Sequence, residues 1–197
     1  MNREILFRGK RLEDGAWVEG YYAKATDMLD DEEVHIIFNP DLELFPRSEF
    51  GTFDEIDPDT LGQYTGMHEF VNQDPSVCGK LFEGDIVEVW SRRRIPTESY
   101  WTAKSQYDGE CLVRATIVFK WGKWRLDYDN EYNNKLAAAR GGEEYDRVVN
   151  AAPSLCDFST ERFNDNGESF RRLNTNKKWY DIVRIGCIHD NPELLEV

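Results

Sequence analysis

Residues 82–90, Phe82-Glu83-Gly84-Asp85-Ile86-Val87-Glu88-Val89-Trp90, read as a Gly-Asp turn feeding a strand. Ile86, Glu88 and Trp90 fall on one side and Val87 and Val89 on the other, the two-residue alternation of a pleated chain. Downstream, Leu112 to Trp121 repeats the pattern, with Val113, Ala115, Ile117, Phe119 and Trp121 sharing a side. Gly122-Lys123 supplies a tight turn, and Trp124 to Tyr128 returns. Upstream, Ile5-Leu6-Phe7 and Trp17 to Tyr22 flank Glu13-Asp14-Gly15, an Asp-Gly hairpin signal. Val34 to Phe38 is a short strand stopped by Asn39-Pro40, and Asp57-Pro58-Asp59 is a turn leading into Leu61 to Gly66. A last strand runs from Trp179 to Ile188, followed by a turn and a short helix over His189 to Leu195.

About seven short strands joined by tight turns predict a mainly β fold, a small SH3-like barrel or a rolled antiparallel sheet. Residues 129–178 differ in character. Lys135 to Arg140 favours helix, Gly141-Gly142 interrupts it, and 157–178 is polar and without period. The expectation is one domain over 1–197 with an α/irregular insertion at 129–178.

Composition narrows the function classes. The 197 residues are 40% hydrophobic and 31% charged, which excludes a wholly disordered chain. No apolar run approaches the length of a membrane span, and Met1-Asn2-Arg3-Glu4 leads straight into a strand-like segment. A cytosolic protein is therefore expected. The net charge is −14, from 24 Lys and Arg against 38 Asp and Glu. Residues 1–90 hold 7 basic and 21 acidic side chains, a net of −14, and residues 91–197 hold 17 of each. Within 27–59, twelve carboxylates face Arg47 alone. Such a field repels duplex nucleic acid and anionic lipid and steers basic partners inward. The plain reading of this run is a solvated acidic loop. Cys78, Cys111, Cys156 and Cys187 are widely spaced and read as free thiols, with no zinc-site spacing.

Four blocks resemble the YopX family of phage and prophage proteins. They are Arg3 to Lys10 with Gly15 to Tyr22, Asp57 to Gly66, Leu81 to Val87 around Glu83-Gly84-Asp85-Ile86-Val87, and Ile185 to Leu195. The chain departs from the family in the longer Met67 to Lys80 segment and in 91–178, where no family motif matches. The resemblance implies a protein of mobile genetic elements that works in the host cytoplasm and self-associates. It carries over no catalytic residue.

Motifs for chemistry are few. Cys187 and His189 lie two residues apart on one strand side, but no nucleophile motif surrounds them. Phosphate-cradling glycine motifs are absent from the sequence. Basic clusters occur at Arg92-Arg93-Arg94, Arg171-Arg172 and Lys177-Lys178, near Trp90, Trp101 and Trp179. Arginine beside tryptophan suits an anionic nucleotide, and Arg92, Arg93, Arg94 and Trp101 are its candidates; salt bridges to the acidic half would use the same residues.

These observations predict a non-enzymatic binding protein without a metal or other cofactor, assembled as a homo-oligomer. The expected role is inhibition, in the manner of an anti-CRISPR or a DNA mimic, of a host nucleic-acid-binding or defence protein with a basic surface. The candidate face is Asp27, Asp30, Asp31, Glu32, Glu33, Asp41, Glu43, Glu49, Asp54, Glu55, Asp57 and Asp59. Its spaced carboxylates imitate phosphates, and Leu42, Leu44, Phe45, Phe50 and Phe53 offer apolar anchors. Two alternatives remain, a trap for a nucleotide signal of host immunity and a structural oligomeric phage protein.

Overall fold

The computed structural model describes residues 5–26, 31–38, 53–69, 79–94, 107–141 and 178–196. The fold is mainly β with a single α-helix among these residues. It divides into two compact units, Met1–Gly66 and Met67–Val197.

The first unit is a closed antiparallel ring of four strands. β1 (Phe7–Arg11) pairs with β2 (Trp17–Thr26), β2 with β3 (Glu33–Phe38), β3 with the start of β4 (Phe53–His68), and β4 returns to β1. Closure leaves no strand without two neighbours, which is how a small sheet avoids open borders. The β1–β2 hairpin forms where Asp-Gly indicated. Gly15 sits at φ +71°, Gly15 N–H donates to Arg11 C=O (2.9 Å), and Asp14 Oδ1 accepts the Ala16 N–H (3.0 Å).

The Asp57-Pro58-Asp59 turn chemistry is also present, but inside β4 rather than before it. Asp57 Oδ1 accepts the Asp59 N–H, and Thr60 Oγ1 donates to Asp57 C=O while accepting the Lys10 N–H. The register jumps here from Lys10↔Asp57 to Arg8↔Gly62, so 58–61 bulge opposite Gly9. A bulge of this kind bends a strand sharply, as a ring of only four strands requires. Leu6, Ile37, Ile56 and Tyr64 are buried in this unit. Gly20 lies directly against the β3 backbone. A Cβ there would lie 1.9 Å from the carbonyl oxygen of Phe38.

The second unit holds a four-stranded antiparallel sheet in the order β8-β7-β6-β9. Its strands are β6 (Asp85–Arg94), β7 (Tyr107–Lys120), β8 (Lys123–Asp127) and β9 (Lys178–Cys187), preceded by the short β5 (Lys80–Phe82). The Phe82 to Val89 stretch therefore feeds this sheet, while the ring closes further upstream. Leu81, Val87, Val89, Val113, Ala115, Ile117, Trp124, Leu126 and Ile182 form the core. The turn before β6 is fastened by Asp85, which is fully buried and accepts the Phe82 N–H on Oδ2 (2.7 Å). Glu69 seals one side of β9. Its Oε1 accepts the Arg184 N–H (2.6 Å) and its Oε2 the Gly79 N–H (3.1 Å).

Helix α1 (Glu131–Arg140) lies within 129–178 and stops at Gly141, as the glycine pair indicated. Asn130 caps it by accepting the Asn133 N–H (3.0 Å). Its one buried residue is Asn133, whose Nδ2 donates to Arg114 C=O and Tyr128 C=O and whose Oδ1 accepts the Arg114 N–H. The helix is thus tied to β7 by an amide–backbone clasp rather than an apolar stripe. The rest of the expected insertion, 142–177, lies outside the described residues.

The shared side expected for Val113 to Trp121 holds only in part. Val113, Ala115 and Ile117 are fully buried, but Phe119 is 52% and Trp121 82% exposed. Trp121 has left the strand. With Lys120 paired to Lys123, Trp121 (φ +56°) and Gly122 (φ +75°) form the two-residue loop whose doubly positive φ defines a type I′ turn. Glycine fits that geometry and a bulky side chain does not, at a cost of roughly 1–2 kcal/mol per L-residue in this region. Trp121→Asn places the preferred residue at the same position. It should raise the unfolding free energy by about 1 kcal/mol, read as a shift in the urea midpoint at constant slope.

Candidate functional site

Of the twelve candidate carboxylates, Asp27, Asp30, Asp41, Glu43 and Glu49 lie outside the described residues, as do Leu42, Leu44, Phe45 and Phe50. The other seven occupy the first unit: Asp31 and Glu32 just before β3, Glu33 at its start, and Asp54, Glu55, Asp57 and Asp59 on β4. Their environments divide them sharply.

Glu33 opens β3 and meets Lys24 of β2 at 2.7 Å, with His35 Nε2 at 3.4 Å from the same oxygen. The hydrogen bond from Lys24 holds the Glu33 carboxyl below its ordinary range and raises the Lys24 ammonium. On the other side of the imidazole, Nδ1 lies 2.8 Å from the Tyr22 hydroxyl, and the two rings stack at 5.8 Å. Asp54 meets Arg11 Nη1 at 3.0 Å. The same guanidinium grips Asp14 through Nε (2.9 Å) and Nη2 (2.7 Å). That grip, with the Ala16 N–H, holds the Asp14 carboxyl down at about 2, and Asp14 in turn raises Arg11. Asp57 is engaged in its own turn. Asp31, at φ +60°, Glu32, Glu55 and Asp59 are exposed.

Sequence reasoning anticipated acidic density here but not the apolar row beside it. The register places Tyr21 opposite Phe38 and Phe38 opposite Phe53, and Phe38 and Phe53 meet with ring centroids 6.2 Å apart. All three are exposed (47%, 38% and 44%), and Phe38 at the centre of the row is paired on both sides, with Tyr21 and with Phe53. By strand alternation Glu55 falls on the same side of β4 as Phe53. Next to the row, a shallow groove of about 440 Å³ is lined by Arg11, Leu12, Glu13, Phe53, Asp54 and Glu55. Phe53 was readable as an anchor from sequence. Tyr21 and Phe38 were not, because membership in the row depends on cross-strand register.

In the second unit, Arg92, Arg93 and Arg94 lie at one end of β6. Backbone pairing sets Arg92 opposite Trp179 and Arg93 opposite Lys178, so β9 joins two basic runs far apart in sequence. Arg94 is paired with Tyr107. The side chains of Arg92 to Arg94, and all of Trp101, lie outside the described residues.

Among the described cysteines, Cys187 is buried and its Sγ donates to Asp190 Oδ2 (3.5 Å). Burial pushes the Cys111 thiol up to about 11, well away from a reactive thiolate. Cys111 and Cys187 are both free thiols. Among the described residues no group of three or more His, Cys, Asp or Glu side chains could hold a metal ion. No helix there is long and apolar enough to cross a membrane. Compared with known proteins, the chain matches no family model, no curated protein and no solved structure.

Proposed function

We propose that this chain is a non-enzymatic phage or prophage accessory protein of YopX type that binds a basic surface on a host protein through its first unit. The reading rests on one observation: a three-strand aromatic row, Tyr21–Phe38–Phe53, exposed on the more acidic unit. Residues 1–66 hold 6 basic against 16 acidic side chains, a net of −10. Carboxylates steer the encounter and exclude like-charged partners, while desolvated aromatics hold the complex. Tyr21, Phe38 and Phe53 supply the apolar centre, and Glu55 belongs to the charged rim.

The variant that tests this reverses three exposed carboxylates of the first unit, Asp31 before β3 and Glu55 and Asp59 of β4. It spares Glu33, Asp54 and Asp57, which serve the ring itself. Conversion of the three to Lys should slow association with the host protein captured from prophage-carrying cells by about tenfold or more, and wild-type association should fall steeply with salt. Unchanged association, with the fold intact by circular dichroism, would overturn the acidic-face reading.

A second reading, a trap for a nucleotide signal, is favoured by the β6–β9 pairing that sets Arg92 and Arg93 opposite Trp179 and Lys178. It predicts that the carboxylate reversals leave activity intact, while alanine at Arg92, Arg93 and Arg94 removes it.

A further inference from the structure

The β7–β8 hairpin ends in Phe119-Lys120-Trp121-Gly122-Lys123-Trp124-Arg125, a run that alternates cations with aromatics. Over 119–127 it holds Lys120, Lys123 and Arg125 against Asp127 alone, a cationic spot in an acidic protein. The register separates its two sides. Phe119 pairs with Trp124, edge to face at 4.9 Å, on the side that leads into the core. Lys120 pairs with Lys123, and Arg125 with Val118, on the opposite side. Trp121 folds toward that cationic side, with the Arg125 guanidinium 4.5 Å from its ring centroid. Among the described residues, the buried Nε of Arg125 has no hydrogen-bond partner, so the ring is what holds this guanidinium in place.

The indole is therefore oriented but not covered. It remains 82% exposed, the most exposed of the described large hydrophobic side chains, on a turn whose backbone geometry disfavours it. Lys123 is exposed beside it, and Lys120 is shared with Asp127 (2.5 Å). The exposed indole lies at the hairpin tip beside Lys120, Lys123 and Arg125, with Arg125 against its ring. It offers a platform for a flat group attached to an anion.

We propose that this hairpin tip binds single-stranded nucleic acid, one unpaired base stacking on the open face of Trp121 and the neighbouring phosphates lying against Lys123 and Lys120. Stacking is indifferent to base identity, because every base has a π-face. Duplex is rejected, because a paired and stacked base presents no face to the indole. The net charge of −14 does not forbid the contact. Residues 91–197 are neutral as a set, and screening reaches about 8 Å at physiological ionic strength. This inference is independent of the acidic-face reading.

The test uses the full chain and a fluorescein-labelled twelve-nucleotide oligo(dT), with binding read as anisotropy so that the other five tryptophans do not interfere. Binding is expected at low salt, weakening as salt rises. Trp121→Asn, a variant expected to fold more stably than the wild type, should weaken binding about tenfold or more, the size of a lost base–aromatic stack. Lys123→Glu should weaken it and lower the salt slope by about one. An oligo(dT)·oligo(dA) duplex and a polyglutamate peptide of equal charge should compete poorly. The proposal is overturned if oligo(dT) does not bind at low salt, or if Trp121→Asn binds as the wild type does. Polyglutamate competing as well as oligo(dT) would also overturn it, and would assign the tip to an acidic protein instead.

Discussion

Gly20→Ala is expected to cost the first unit about 3 kcal/mol or more. The added Cβ would sit 1.9 Å from the Phe38 carbonyl oxygen and 2.9 Å from Ile37 Cγ2, and neither group has a flexible end that can swing aside. Relief requires β2 to withdraw from β3, yet both are links of a closed ring, so a local shift spreads to β1 and β4. Overpacking commonly costs 1–3 kcal/mol where the backbone can yield, and a closed ring yields least. Urea unfolding followed by amide exchange should show protection falling in 17–26, 33–38 and 53–66. An unchanged midpoint would mean that the strands are not so closely apposed.

Asn133→Leu is expected to loosen the start of α1 from the sheet at a cost of about 2–3 kcal/mol. The replacement has similar volume and good helix propensity, so neither a cavity nor a loss of intrinsic helicity confuses the result. What disappears is the clasp on Arg114 and Tyr128. Both carbonyls keep a bond from Asn130, Arg114 C=O from its side chain and Tyr128 C=O from its backbone N–H. The Arg114 N–H loses its acceptor, and a buried unsatisfied donor alone costs about 1–3 kcal/mol. Arg140 Nη2 still donates to Cys111 C=O and the Arg114 guanidinium still lies over the Tyr132 ring, so amide protection should fall first around Asn133 and the helix start while β6 and β7 keep theirs. Full protection in that segment would show that other contacts seat the helix.

Local chemistry made much of this fold legible. Asp14-Gly15, the alternation of Ile86 to Trp90 and the stop at Gly141 each encode a conformation within a few residues. The ring closure was not legible, because it depends on β1 meeting β4 across a bulge at 58–61 that only the Lys10–Thr60 contact explains. Trp121 was misplaced for a related reason. The alternation of Val113 to Phe119 runs on into it, and nothing in that period says that the strand stops one residue earlier.

The candidate site followed the same rule. Carboxylate density could be counted from the sequence. That Arg11 engages Asp54 and Lys24 engages Glu33 could not, since each cation comes from a neighbouring strand. Which carboxylates a partner can use is therefore decided by the pairing, and counting alone overstates the available set.

The carboxylate of Glu69 has a consequence for polymer growth. A sheet lengthens sideways when an arriving strand exchanges its first backbone bond with the border strand, and at β9 the Arg184 N–H that would begin that exchange is already taken. An incoming carbonyl would also meet a fixed negative charge. Among the described residues, the chain thus carries a block to strand addition at this point of the β9 flank.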